Sequence, residues 1–257
     1  MNKVFAKNGI KLILKNPKLL RHIFSLNMEK MHFAYFENKL NLAREYYDKI
    51  KDVDASDRKV LLDALNKISK DILQKESLTL ESELIIMYLL VRKLRPTVMI
   101  ETGVQKGGTS LFILSAMADN QHGKLYSIEL PFSEYVDDDG RVLKETVPPD
   151  TIGVFVPEKL RDRWELTLGD SKIELPRILD KLSEIDIFFH DSNHTYEHMI
   201  FEFEASWPYI KKNGIIISDD VSNNDAFAKF TKDRNVYYVT PSKTNEHNSD
   251  FGILFKQ

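Results

Sequence analysis

Beyond Pro96 the chain alternates between two patterns, and that alternation limits its fold more than any other feature. Short β-branched or aromatic runs at 97–100, 124–128, 164–168, 185–189 and 214–218 are separated by stretches long enough for helices. Strands joined through helices pair in parallel, because a parallel neighbour is reached only by a crossover connection. Two last runs, 236–240 and 251–255, have only a polar loop between them, so they are expected to close the sheet as an antiparallel hairpin. The expectation is a doubly wound α/β sheet of seven strands, mostly parallel.

Upstream of Pro96 the pattern is helical. Leu61, Leu65, Ile68 and Ile72 follow steps of four, three and four, one stripe of a 3.6-residue helix. A further helix is expected over 81–94, stopped by Pro96, since a residue before proline is pushed out of the α region. The domain organisation read from this is a helical N-terminal extension over 1–80 and the sheet domain over 81–257. Residues 1–28 carry six Lys or Arg and no acid, spread so that no signal-peptide core forms. Two readings stay open for them. They are a solvated helix face whose Ile10, Leu12, Ile13, Leu19, Leu20, Ile23 and Phe24 pack on the body, or a basic amphipathic stretch contacting an anionic membrane surface or a partner.

The remaining chain holds 30 bases against 39 acids, an acidic body that speaks against nucleic acid as the main partner. There is no cysteine, which excludes disulfides, thiolate metal sites and a cysteine nucleophile, and makes the cytoplasm the default compartment. No apolar run reaches the 18 or so residues of a membrane-spanning helix.

In an open α/β sheet, ligands bind beyond the carboxyl ends of the strands. The residues leaving those ends are Glu101, Glu129, Asp170, Asp191 and the pair Asp219 and Asp220. Carboxylates gathered on one edge repel one another unless a ligand supplies hydroxyl donors, an ammonium or sulfonium group, or a metal ion. The edge therefore suits a cationic, hydroxylated ligand. After Glu101 comes a turn containing Gly103, Gly107 and Gly108, followed by Thr109, Ser110 and a helical run. Glycines there let backbone approach a ligand, and the helix amides that follow can hold a carboxylate. Their spacing is not that of a dinucleotide fingerprint.

With Glu101-x-Gly103, Glu129, the Gly169-Asp170-Ser171 turn, the run from His190 through Asp191, Asn193, His194 and Tyr196 to Glu197, and the Gly214 strand ending in Asp219-Asp220, the chain resembles class I S-adenosylmethionine-dependent methyltransferases. The branch it is most similar to is methyltransferase domain family 24, whose relatives include macrolide-sugar O-methyltransferases and cephalosporin hydroxylase-like proteins. The resemblance spans about 82–257 and implies a Rossmann-like fold. It implies that Glu101 and Gly103, with the turn through Gly107, Gly108, Thr109 and Ser110, flank the methionine end of S-adenosylmethionine. Glu129 is then at the ribose, with Asp170 and Ser171 at the adenine. It further implies a divalent metal, Mg²⁺ or a similar ion, on Asp191, Asp219 and Asp220, with Asp191 also beside the cofactor, and His194 as general base.

The expected activity is metal-assisted methyl transfer to a hydroxyl of a small molecule, such as a sugar. The alternative is a non-methylating, hydroxylase-like member or a cofactor-binding module without turnover. The residues leave other roles open too: His194 as the start of the following helix, or His194 and His198 with Asp191 as a zinc site. The long connection at 131–163 is expected to be a lid or a surface excursion, acidic over 131–151. A homo-oligomer is compatible with the sequence.

Overall fold

The computed structural model describes residues 17–75, 80–234, 238–239 and 251–257. The chain divides into two compact units, Met1–Leu42 and Ala43–Gln257. Both readings of the basic N-terminal stretch depend on residues 1–16 and on side chains near them that lie outside the described set. Among the described residues, no helix is long and apolar enough to cross a membrane.

Helix α1 runs over Pro17–Ile50, α2 over Arg58–Lys75 and α3 over Leu80–Leu94. The stripe Leu61, Leu65, Ile68 and Ile72 is buried along α2, as its spacing requires. The alternation follows: β1 Val98–Thr102, α4 Gly108–Asn120, β2 Lys124–Glu129, then an antiparallel hairpin of β3 Phe132–Val136 and β4 Val142–Thr146. Next come β5 Trp164–Leu168, α5 Ser171–Leu182, β6 Ile185–His190, α6 Tyr196–Ser206, β7 Ile210–Ser218, α7 Ala226–Arg234, β8 Tyr238–Val239 and β9 Gly252–Phe255.

The seven-stranded sheet has the order β5-β2-β1-β6-β7-β9-β8. Strands β1, β2, β5, β6 and β7 are parallel, and β9 runs antiparallel to both β7 and β8. The expected closing pair is present at 238–239 and 252–255; residues 236, 237 and 240 of the expected first strand lie outside the described set.

Successive side chains on a strand point to opposite faces, so each cross-strand row belongs to one layer. Ile100, Phe188, Ile216 and Leu254 form one such row. They pack with Leu175 and Leu179 of α5, Met199 and Phe203 of α6, and Phe227 and Phe230 of α7. Glu101, one residue on from Ile100, faces the other layer, where it meets Ser110 of α4. Helices therefore cover both faces, as a parallel sheet demands.

From β1 the chain moves outward to β2 and β5, then returns across the sheet to place β6 on the other side of β1. The crevice between β1 and β6 is the point where the winding reverses, the place where such sheets bind ligands. One backbone bond beyond each strand end extends the ladder into this crevice: Gly103 N donates to Ile128 O, Asp191 N to Thr102 O, and Asp219 N to His190 O, each at 2.9 Å. These bonds aim the acid-bearing turns.

Gly103 has φ +82, and a Cβ there would stand 1.8 Å from the Asp191 carbonyl oxygen. Backbone cannot yield as a side-chain tip can. Gly103→Ala is expected to force the ends of β1 and β6 apart and to lower the melting temperature, at a cost on the order of 1–3 kcal/mol. Scanning calorimetry on wild type and variant checks this, and an unaltered melting temperature would show that the close approach does not matter.

Candidate active site

A cavity of about 720 Å³ opens at the carboxyl ends of β1, β2, β5, β6 and β7. Of the residues singled out in the sequence, Gly103, Glu129, Asp170, Ser171, Asp191, His194, Asp219 and Asp220 line it. Glu101, Gly107, Gly108, Thr109 and Ser110 are not among its lining residues. The glycine turn is covered from behind: Gly153 N donates to Gln105 O and Phe155 N to Lys106 O, and the Gly153 Cα occupies the space where a Cβ on Gly107 would point.

Glu101 lies within β1 rather than beyond its end, because the strand continues two residues past the expected boundary at 100. Its side chain is fully buried, and Oε2 accepts from Ser110 Oγ and Ser127 Oγ, both at 2.7 Å. Oε1 has no hydrogen-bond partner among the described residues. Burial pushes its pKa up to about 7, against the opposing effect of the two serine bonds, and the nearby charge of Glu129 adds to the rise.

A carboxyl with a raised folded-state pKa binds more protons folded than unfolded between the two values, so its contribution to stability is present below the unfolded pKa and is lost as pH rises toward 7. The shift is worth on the order of 3 kcal/mol. Glu101→Gln is therefore expected to flatten the fall in melting temperature between pH 5 and pH 8 and to exceed wild type at pH 8. Parallel melting curves across that range test this, and equal slopes would contradict it.

Glu129 is buried at the end of β2, and its Oε2 accepts from Val104 N at 2.5 Å and Gln105 N at 2.7 Å. One carboxylate oxygen thus shapes the glycine turn, and the side chain still lines the cavity. Asp170 caps α5, with Oδ1 accepting from Lys172 N at 2.8 Å. Leu130, next to Glu129 in the chain, also lines the cavity and presents an exposed apolar surface.

On the other side of Gly103 lies a second group. Asp191, His194 and Asp219 each offer a ligand atom, all within 4.8 Å of one another. His194 Nε2 stands 4.0 Å from Asp191 Oδ1 and has no hydrogen-bond partner among the described residues. Asp220 lines the same cavity in the left-handed backbone region, φ 51, and accepts from Asn223 Nδ2 at 3.1 Å. Burial and the adjacent Asp219 carboxylate hold Asp191 well above the usual carboxylate range. Two acids this close keep a proton between them unless a cation replaces it. Hard oxygen donors with an unpartnered imidazole nitrogen alongside fit a divalent ion.

His194 precedes α6, whose N-cap is Thr195. Asn193 Oδ1 accepts from Thr195 N, and Asn224 Nδ2 donates to the His194 carbonyl, both at 2.9 Å, so its loop is held from two directions. Burial, reinforced by His190, lowers the His194 pKa to about 3, leaving the imidazole neutral. His198 does not join His194 at a shared ion, since its Nε2 is directed to Glu202 Oε1 at 3.0 Å.

Two contributors escaped the sequence reading. The β3–β4 hairpin lies within the 131–163 connection, and its Phe132, Glu134 and Tyr135 line the cavity. Its tip reaches the start of α6, where Asp138 accepts from Tyr196 N. The pair Asp139-Gly140 between the two strands is the signal that announces such a turn. Glu202 is the other contributor, one of three acids in α6, and nothing in its local sequence marks it for burial.

Residues 100–221 match the family model described as a methyltransferase domain. No curated protein matches the chain by sequence. The architecture is similar to that of an O-methyltransferase from Bacillus cereus in complex with SAH, with TM-score 0.52, 13% identity, and 82% of this chain and 96% of that chain covered. It is also similar to TomG, an O-methyltransferase from Streptomyces achromogenes involved in tomaymycin synthesis and solved with SAM, with TM-score 0.53, 14% identity and coverage of 75% and 89%. A calicheamicin methyltransferase follows at TM-score 0.50, 17% identity and coverage of 82% and 91%. Fold and family match point to one class: residues 100–221, just under half of the chain, are similar to a methyltransferase domain. Within that class the matching model is methyltransferase domain family 24, the branch that the strand-end acids and the run from His190 to Glu197 resemble.

Proposed function

We propose that this chain transfers the methyl group of S-adenosylmethionine to a hydroxyl of a small molecule, with a divalent ion assisting. The observation that carries the reading is the convergence of Asp191, His194 and Asp219 on the same cavity that Glu129, Asp170 and Ser171 line from the cofactor side. The similar O-methyltransferases support the choice of a hydroxyl acceptor.

In this reading Glu129 accepts hydrogen bonds from the ribose hydroxyls, while Leu130, Asp170 and Ser171 border the adenine. The acidic rim favours the positive sulfonium and loses part of that attraction once the neutral thioether forms, which assists product release. Asp191 and Asp219 would hold the divalent ion, with Asp220 beside them. When bound, the ion supplies Lewis acidity to the acceptor oxygen.

His194 takes the hydroxyl proton on Nε2, where the neutral imidazole has an open lone pair. With an ion keeping Asp191 ionised, its carboxylate 4.0 Å away would offset the burial that otherwise disfavours the imidazolium. The oxygen–carbon bond forms as the carbon–sulfur bond breaks, and in-line placement of the two is worth ~7–11 kcal/mol when the site is preorganised. The hairpin residues Phe132 and Tyr135 screen the reacting centre from water. The acceptor is a hydroxylated small molecule such as a sugar, and the absence of cysteine fits a reducing cytoplasm.

Calorimetric titration with S-adenosylmethionine, repeated with Mg²⁺ present, tests pocket and ion together. Product analysis then tests the reaction: S-adenosylhomocysteine must accumulate in step with a methylated acceptor. Binding of the cofactor without its consumption would support the non-methylating alternative instead.

A further inference from the structure

Below the cavity floor, one carboxylate joins segments that are far apart in sequence. Glu202 of α6 is fully buried. Its Oε2 accepts from Thr102 Oγ1, at the end of β1, and from His190 Nδ1, at the end of β6, both at 2.6 Å. Its Oε1 accepts from Ser192 Oγ and His198 Nε2, both at 3.0 Å. His198 Nε2 in turn lies 3.0 Å from Ser171 Oγ, in the first residue of α5.

Ser192 follows Asp191 in the loop of the proposed ion site, and Ser171 follows Asp170 at the adenine wall. Both line the cavity. A single anion therefore touches the metal loop directly and the cofactor wall through one imidazole. A hydrophobic residue of similar size would fill the space without this cost of burying charge, so packing alone does not account for an acid here.

We propose that Glu202 is a positioning residue that makes one frame of the cofactor wall and the metal loop, so that cofactor and divalent ion each strengthen the binding of the other. The inference rests on the methyltransferase reading and adds a coupling between its two sites. Ordering Ser171 against the adenine fixes His198 and Glu202, and through them Ser192 and the loop bearing Asp191. Linkage makes the effect reciprocal: the cofactor tightens the ion by the same factor as the ion tightens the cofactor.

The test is calorimetric titration of the full chain with Mn²⁺ and with Mg²⁺, in the absence and presence of saturating S-adenosylhomocysteine, for wild type and Glu202→Gln. Wild type is expected to bind the ion about tenfold more tightly with S-adenosylhomocysteine present, within the usual range for coupled sites. In Glu202→Gln the amide nitrogen faces donors it cannot accept from, and the factor is expected to fall to near one. A lower melting temperature with an unchanged coupling factor would make Glu202 merely structural and overturn the proposal. So would wild-type protein that shows no coupling or binds no ion.

If Glu202→Gln does not fold, Ser171→Ala and Ser192→Ala each remove one arm and leave the other donors in place. Either is expected to reduce the factor, and wild-type coupling in both would overturn the proposal. Wild type that fails to bind S-adenosylhomocysteine defeats the methyltransferase reading itself, whereas binding with coupling independent of Glu202 defeats only this inference.

Discussion

Asp191→Asn is expected to abolish metal-stimulated turnover while the protein stays folded. The carboxylate supplies a hard oxygen to the proposed ion and ionic support to His194, and both vanish with the charge. Lewis-acid stabilisation of the reacting oxygen is worth several kcal/mol, so kcat should fall by about 10³ or more. Stability should move the other way or not at all. Burial and Asp219 hold the Asp191 carboxyl toward its neutral form in the protein without an ion, and asparagine is neutral at every pH. Rates with Mg²⁺ and with chelator, set beside melting temperatures, separate the two effects. Equal wild-type rates under both conditions would remove the ion from the mechanism.

His194→Ala should lower kcat by about 10²–10⁴, the usual contribution of a positioned general base, with little change in cofactor affinity. The site sharpens this test, because Asp191, His194 and Asp219 sit close enough to share an ion. If ion affinity survives in His194→Ala while kcat collapses, the imidazole is the base. Should ion affinity collapse as well, His194 is a ligand, and the proton must leave by another route. An unaltered kcat would reduce His194 to a loop residue held by Asn224.

Much of the scaffold was legible because its signals are local. Leu61, Leu65, Ile68 and Ile72 announce one buried helix face, and each is buried. Pro96 ends α3 for a steric reason that needs no tertiary partner. The hairpin in the 131–163 connection left one local signal, the Asp139-Gly140 turn. A long acidic connection masked that signal, since charged residues such as Glu134 and Lys144 pair across the two strands rather than marking a solvated coil.

The acids divide differently. Glu101 and Glu129 look alike in sequence, each at the end of a β-branched run. In the fold, Glu101 turns into the layer beneath α4, where Ser110 and Ser127 meet it, while Glu129 reaches the cavity. Glu202 looks like any acid on a helix, yet it accepts a bond from Thr102, one hundred residues away.

The sequence by itself determined that strands alternate with helices, that the sheet is mostly parallel, and that acids stand where its strands end. Those properties follow from residue periodicity and backbone sterics, which act over a few neighbours. Only the tertiary structure decided which carboxylates line the cavity, which hold a proton more tightly in the core and which tie the floor together. Charge and proton affinity depend on distance and on exclusion of water, and both are created only when distant segments pack.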